Sequence, residues 1–216
     1  MNQPNMKEKV LHNLAFGLSV IFYPLFTPSY LMVAFCALFS AYRIPLPGQY
    51  WWVALGGTAF FTFLVPLVIL LVMKAQGRVS DLDVSNHRER FVPFLYGMVS
   101  FAFWCAYLEV VLHVPPFMFW TAVCTLLAIV VCAFISRWWK ISAHLASMGG
   151  VVGMTVGYLL YFGLSTPGVV VGLLLLVLLL MYARIYLGAH TPEQTVAGFL
   201  LGLIFTLTPN FILLYA

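Results

Sequence analysis

Charge is scarce in this sequence. Of its 216 residues, 10 are Lys or Arg and 6 are Asp or Glu, 7% in all, while 63% are hydrophobic. Soluble domains carry about 25% charged residues, so there is too little charge here to solvate the outside of a water-soluble fold. Low-complexity repeats are missing too, which together with the apolar content excludes disordered and fibrous chains. Cysteine is sparse: Cys36, Cys105, Cys124 and Cys132 all fall inside apolar stretches, and none forms a CxxC pair. Neither a disulfide framework nor a thiolate metal site is indicated. The net charge of +4 is no signal for nucleic acid; its distribution between loops carries the information.

What the chain does have is apolar length. The pattern predicts an all-α, polytopic transmembrane bundle of about six to seven spans, a single transmembrane domain over 1–216 whose site is built from helix ends and loops. The first apolar region, Leu14 to Ala41, contains Pro24 and Pro28. Split there, each half is about 13 residues, too short for a hydrocarbon core of about 30 Å, so one long kinked span is expected. No small-residue cleavage signal follows the basic start, which predicts a retained span. Further spans are expected near Trp52–Met73, Val92–Leu112, Phe117–Phe134, Leu145–Phe162, Val169–Ile185 and Thr195–Leu214. In the fifth, Gly149, Gly153 and Gly157 recur every fourth residue, a flat face for close helix packing, and Ser142 suits its N-cap. Pro192 suits the first turn of the last helix. Glu109 and His113 are expected to pair at i,i+4 near the end of the third span.

With seven spans, Lys7, Lys9, Lys74, Arg78, Arg88, Arg90, Arg137, Lys140 and Arg184 share one side of the membrane and Arg43 stands alone on the other. The positive-inside rule makes the crowded side cytoplasmic, and the expected location is a bacterial inner membrane. Three polar segments, 74–91, 137–144 and 184–194, fall on that side. They hold nearly every residue capable of chemistry, including Asp81, Asp83, His87, Arg88, Arg90, Lys140, Ser142, His144, Arg184, His190, Glu193 and Gln194. Ionisable groups close to apolar helix cores are energetically expensive and usually functional. Two histidines among cations suit phosphoryl transfer: one imidazole attacks phosphorus, the other protonates the leaving oxygen, and arginines hold the equatorial oxygens.

The third segment, ARIYLGAHTPEQ, resembles the C-terminal signature SRxxxxxHxxxD of the phosphatidic acid phosphatase type 2 superfamily. Arg184 and His190 match it in identity and spacing. ISAH, with Ser142 and His144, is similar to the family's PSGH, and Arg90 takes the arginine position of KxxxxxxRP. The similarity covers roughly Tyr50 to the C-terminus. It implies a helical membrane enzyme that removes phosphate from a lipid phosphate or diphosphate without a metal cofactor, through a phosphohistidine intermediate. His190 would then be the nucleophile and His144 the general acid. Arg90 and Arg184 would clamp the phosphate, with Lys140, Ser142 and Arg88 binding substrate. The partner implied is the lipid phosphate itself; no nucleic acid and no required protein partner is indicated.

The chain departs from the family pattern at two telling positions. Gln194 replaces the aspartate that orients the nucleophile, so either Gln194 through its carbonyl or Glu193 by turning inward would do that work. Asp83 stands where a lysine is expected and brings negative charge toward an anionic substrate. Two alternatives follow. Asp81, Asp83, His87, His144 and His190 are ligand types for a divalent metal in a metal-dependent phosphohydrolase, and a non-catalytic binder or transporter of lipid phosphates would use the same scaffold.

Overall fold

A computed structural model of the chain describes residues 5–41, 48–84 and 86–215, apart from the side chains at 38, 39, 41, 87 and 213–215. Arg43 lies outside the described residues, as does the side chain of His87. Every regular element among the described residues is helical. The elements are α1 (Met6–Ile21), α2 (Thr27–Ala41), α3 (Tyr50–Ala59), α4 (Val65–Ala75), α5 (Phe91–Val110), α6 (Pro116–Ile135), α7 (Ala143–Tyr161), α8 (Pro167–Tyr186) and α9 (Pro192–Tyr215). α3 and α4 join through a π-turn, Phe60–Leu64, into one helix, Tyr50–Ala75. That helix, α5, α6, α7, α8 and Pro192–Ile212 of α9 make six helices long and apolar enough to cross a membrane. Proline caps the starts of α6, α8 and α9, where its missing N–H costs nothing.

The first apolar region does not form the expected kinked span. Pro24 and Pro28 remove the donors that Val20 and Pro24 carbonyls would receive in a continuous helix. Those carbonyls instead accept from Tyr23 N–H at 3.2 Å and Thr27 N–H at 3.3 Å, so the chain turns tightly and restarts as α2. Two breakers four residues apart end a helix where one alone would bend it. α2 then runs through the bundle. Its Thr27 hydroxyl meets Ser147 at 3.2 Å, and its Met32, Phe35 and Cys36 join Leu112, Val114 and Phe117 at the opposite end.

The tightest pairing is α7 on α9. A Cβ at Gly149 would strike the Phe199 carbonyl, one at Gly153 the Leu203 carbonyl and Thr206 hydroxyl, and one at Gly157 the Asn210 side chain. Gly198 and Gly202 answer from α9, where added atoms would strike the Ser142 and Ala146 carbonyls. Backbones this close require glycine on both helices. The contact sets the start of α7 beside the start of α9, and Ser142 N–H donates to the Gln194 carbonyl at 3.2 Å. Helix α5 ends at Val110, and His113 adopts φ 48°. This takes Glu109 and His113 out of helical register, and no ion pair joins them among the described residues.

Candidate phosphate-binding site

Four basic side chains are buried among the described residues: Arg90, His144, Arg184 and His190. They come from the loop before α5, the first turn of α7, the last turn of α8 and the loop before α9. All four line one cavity of about 180 Å³, together with Asp83 and Tyr23. Residues 100 positions apart in sequence thus meet because the three polar segments share one end of the bundle.

His190 is held in one orientation. Its Nδ1 lies 3.1 Å from the Lys140 carbonyl and 3.1 Å from Gln194 Oε1. Both are acceptors, so Nδ1 carries the proton and Nε2 is left with its lone pair. The Thr191 N–H also donates to Gln194 Oε1 at 3.2 Å, which fixes the amide orientation. Burial, reinforced by Arg90 and Arg184, holds the imidazole down at about 4, so it is neutral at pH 7. Of the two neighbouring candidates it is Gln194, through its carbonyl, that meets Nδ1, while Glu193 is exposed with its carboxylate toward Thr191.

His144 Nε2 lies 3.2 Å from the Ser19 carbonyl and so carries the proton on that side. Tyr23 packs edge-on against the ring at 5.4 Å. Arg90 is fixed from two directions: Nε donates to the Val84 carbonyl at 2.8 Å and Nη1 to the Ile141 carbonyl at 3.0 Å. Val84 holds its carbonyl in place with φ 46°, a left-handed conformation that strains a β-branched residue by about 1–3 kcal/mol. Strained backbone of this kind collects at functional sites.

Arg184 is the most exposing feature of the site's chemistry. Its Nη2 pairs with Asp83 at 3.2 Å, yet its buried Nε has no acceptor. A buried charged donor left unpaired is costly, and an anion is one group that would satisfy it. Lys140 is half-buried and does not itself line the cavity. Burial, then Arg90 and Arg184, holds its ammonium below the ordinary lysine range.

The other expected residues fall elsewhere. The Ser142 hydroxyl is fully buried and caps α7, accepting from Leu145 N–H at 3.4 Å, and it does not line the cavity. Arg88 is exposed and also lies off the cavity. Among the described residues, no group of three His, Cys, Asp or Glu side chains is close enough to hold a metal ion. Asp83 instead bonds Arg184. Sequence reasoning missed Tyr23, whose hydroxyl donates to the Leu82 carbonyl at 2.7 Å, and the Ser19 carbonyl. Tyr23 sits in the helix break and Ser19 in the last turn of α1 just before it, where the sequence pattern predicts a continuous span.

The fold and the apolar helices define a polytopic helical membrane protein. No protein-family model, curated protein or solved structure matches the chain.

Proposed function

We infer that the protein is a phosphohydrolase acting on a membrane lipid phosphate or diphosphate, with His190 as nucleophile. The observation that carries this reading is the unpaired, buried Nε–H of Arg184 in the same cavity as a neutral histidine whose Nε2 is free. Arg90 is anchored by backbone carbonyls through Nε and Nη1, which leaves Nη2 for a phosphoryl oxygen. Preorganised cations of this kind favour the charge that develops on the equatorial oxygens.

In the first step His190 Nε2 forms a bond to phosphorus while the bond from phosphorus to the leaving oxygen breaks. His144, whose Nε2 proton is held by the Ser19 carbonyl, takes a second proton on Nδ1 from the bound monoanionic phosphate ester and passes it to that oxygen. Water then attacks the phosphohistidine, the P–N bond breaks, inorganic phosphate leaves, and the proton released from water returns to His144. Gln194 orients the ring but offers no charge to offset the imidazolium-like adduct. That neutrality favours a second reading, a lipid-phosphate binder without turnover.

The site end is assigned to the cytoplasmic face of a bacterial inner membrane on the loop-charge rule. Cysteines at positions 80 and 140 would then label from the cytoplasm; labelling from outside reverses the assignment. Phosphate release from lipid mono- and diphosphates in mixed micelles tests the chemistry. His190→Ala should lower turnover by at least roughly 10²–10⁴-fold, the scale for a positioned proton-transfer group. Tight binding of lipid phosphate with no release, unaffected by His190→Ala, would favour the binder.

A further inference from the structure

A second cavity, of about 170 Å³, adjoins the polar one and lies in the middle of the bundle between α2, α5, α6, α7 and α9. Pro24, Pro28, Phe94, Phe101, Ile129 and Ala143 line both, so the two cavities adjoin, with all of the charge in the outer chamber. On α5 the inner lining runs from Phe94 at the site end to Leu108 near the other, about 21 Å of helix at 1.5 Å per residue. One bilayer leaflet holds about 15 Å of hydrocarbon, half of a core of about 30 Å. The depth suits one lipid chain.

The walls suit it as well. No Asp, Glu, Lys, Arg or His lines the inner cavity. Its serine and threonine hydroxyls are turned onto the protein: Thr121 donates to the Phe117 carbonyl, Thr125 to the Thr121 carbonyl, Thr206 to the Gly202 carbonyl and Ser147 to the His144 carbonyl. Thr27 is satisfied by Ser147. Water therefore finds few open partners, and an apolar cavity of about 150 Å³ is already large enough to stay dry and take up hydrocarbon. A relay of ions or protons needs groups that this lining lacks.

We propose that the inner cavity holds one hydrocarbon chain of the lipid whose phosphate sits at Arg90 and Arg184, and that Ala122 and Ala128 on α6 set how long that chain can be. The head-group half of this assignment rests on the lipid-phosphate reading above. Both alanines line the cavity and are buried. α6 runs from the far end to the site end, so Ala128 stands about 10 Å and Ala122 about 20 Å below Ile135. A leucine at either position puts a plug at a defined depth. Entry would pass between α4 and α5, where Pro66, Ile69, Pro93 and Gly97 line the outer chamber and a Cβ on Gly97 would meet nothing within 4 Å.

Photo-crosslinking of the full-length protein in mixed micelles tests the assignment without requiring turnover. The probes are alkyl monophosphates of graded length with a diazirine at the chain end, and the labelled residues are mapped by peptide mass spectrometry. Long probes should label the inner wall at Trp104, Leu108 or Met118. Ala122→Leu should abolish labelling at that depth by the longest probes only, and Ala128→Leu should also exclude those of intermediate length. In the matching phosphate-release series, Ala128→Leu should shift kcat/KM toward short chains by about tenfold or more, the scale at which an apolar pocket discriminates added length. Labels confined to the lipid-facing Val99, Phe103 and Leu127 would overturn the proposal, as would labelling indifferent to a folded Ala122→Leu or Ala128→Leu variant. Inner labelling without phosphate release would sustain the chain site and remove the hydrolytic reading, so the two failures are distinct.

Discussion

Asp83 is the residue whose charge most directly opposes the proposed substrate. Its carboxylate holds Arg184 Nη2 at 3.2 Å, with 39% of the Asp83 side chain exposed and 6% of Arg184. A phosphoryl group bound by Arg184 would stand on the order of 5 Å from that carboxylate, where two unit charges interact by about 3 kcal/mol at an effective dielectric of 20. Exposure of Asp83 and salt reduce the repulsion to about 1–1.5 kcal/mol, roughly tenfold in affinity. Asp83→Asn keeps the side-chain shape and a carbonyl acceptor for Arg184 while removing the charge. KM for a lipid monophosphate in mixed micelles should fall about tenfold with kcat unchanged, and the gain should shrink as salt is raised. Thermal stability in detergent serves as the control. A KM that rises, or a kcat that collapses in a stable variant, would refute the reasoning: the carboxylate would then be positioning Arg184 for substrate and not competing with it.

Gly153→Leu should lower the melting temperature in detergent, because even its Cβ would strike the Leu203 carbonyl; overpacking of this kind costs about 1–3 kcal/mol or more. Gln194→Leu should reduce turnover by about 10–100-fold, the scale for losing a partner that orients an imidazole, whereas Glu193→Gln should leave turnover unchanged, since Glu193 is exposed and makes no bond to His190. The imidazole of His190 should remain neutral down to about pH 4. Its folded value lies below the ordinary one of about 6.5, so the active form is lost only as pH falls through about 4, and stability from this group declines from about pH 6.5 downward. An NMR titration of the His190 ring reads this directly, and a midpoint near 6.5 would contradict it.

Most of the architecture can be read from run lengths and polar punctuation. The six long helices end within three residues of the expected bounds because proline and polar residues mark those ends. The glycine spacing on α7 also pointed to a real contact, since removal of side chains at every fourth residue has few other uses in a membrane helix. The helix break at 22–26 was harder to foresee. A single proline bends an apolar helix, and only the paired loss of donors to Val20 and Pro24 carbonyls makes it stop. At the site, the meeting of Arg90, His144, Arg184 and His190 followed from loop sidedness. Their hydrogen bonds did not. His190 precedes the start of α9, so helical spacing could not choose between Glu193 and Gln194. Ser142 was legible as a cap, and that role sets its hydroxyl behind the cavity wall. The pairing of Asp83 with Arg184 depends on the turn around Val84, a conformation that nothing in a valine's own preferences suggests. The inner cavity is a property of five helices together and has no local signature.

The central claim is that His190 becomes covalently phosphorylated during turnover. Rapid mixing of the protein with a lipid phosphate, quenching in alkali (where phosphohistidine survives) and peptide mass spectrometry should find the phosphoryl group on His190. The adduct should accumulate further in a variant slowed in the hydrolytic step and be absent from His190→Ala. Phosphate release from that variant at the wild-type rate, or an adduct on any other residue, would contradict the account.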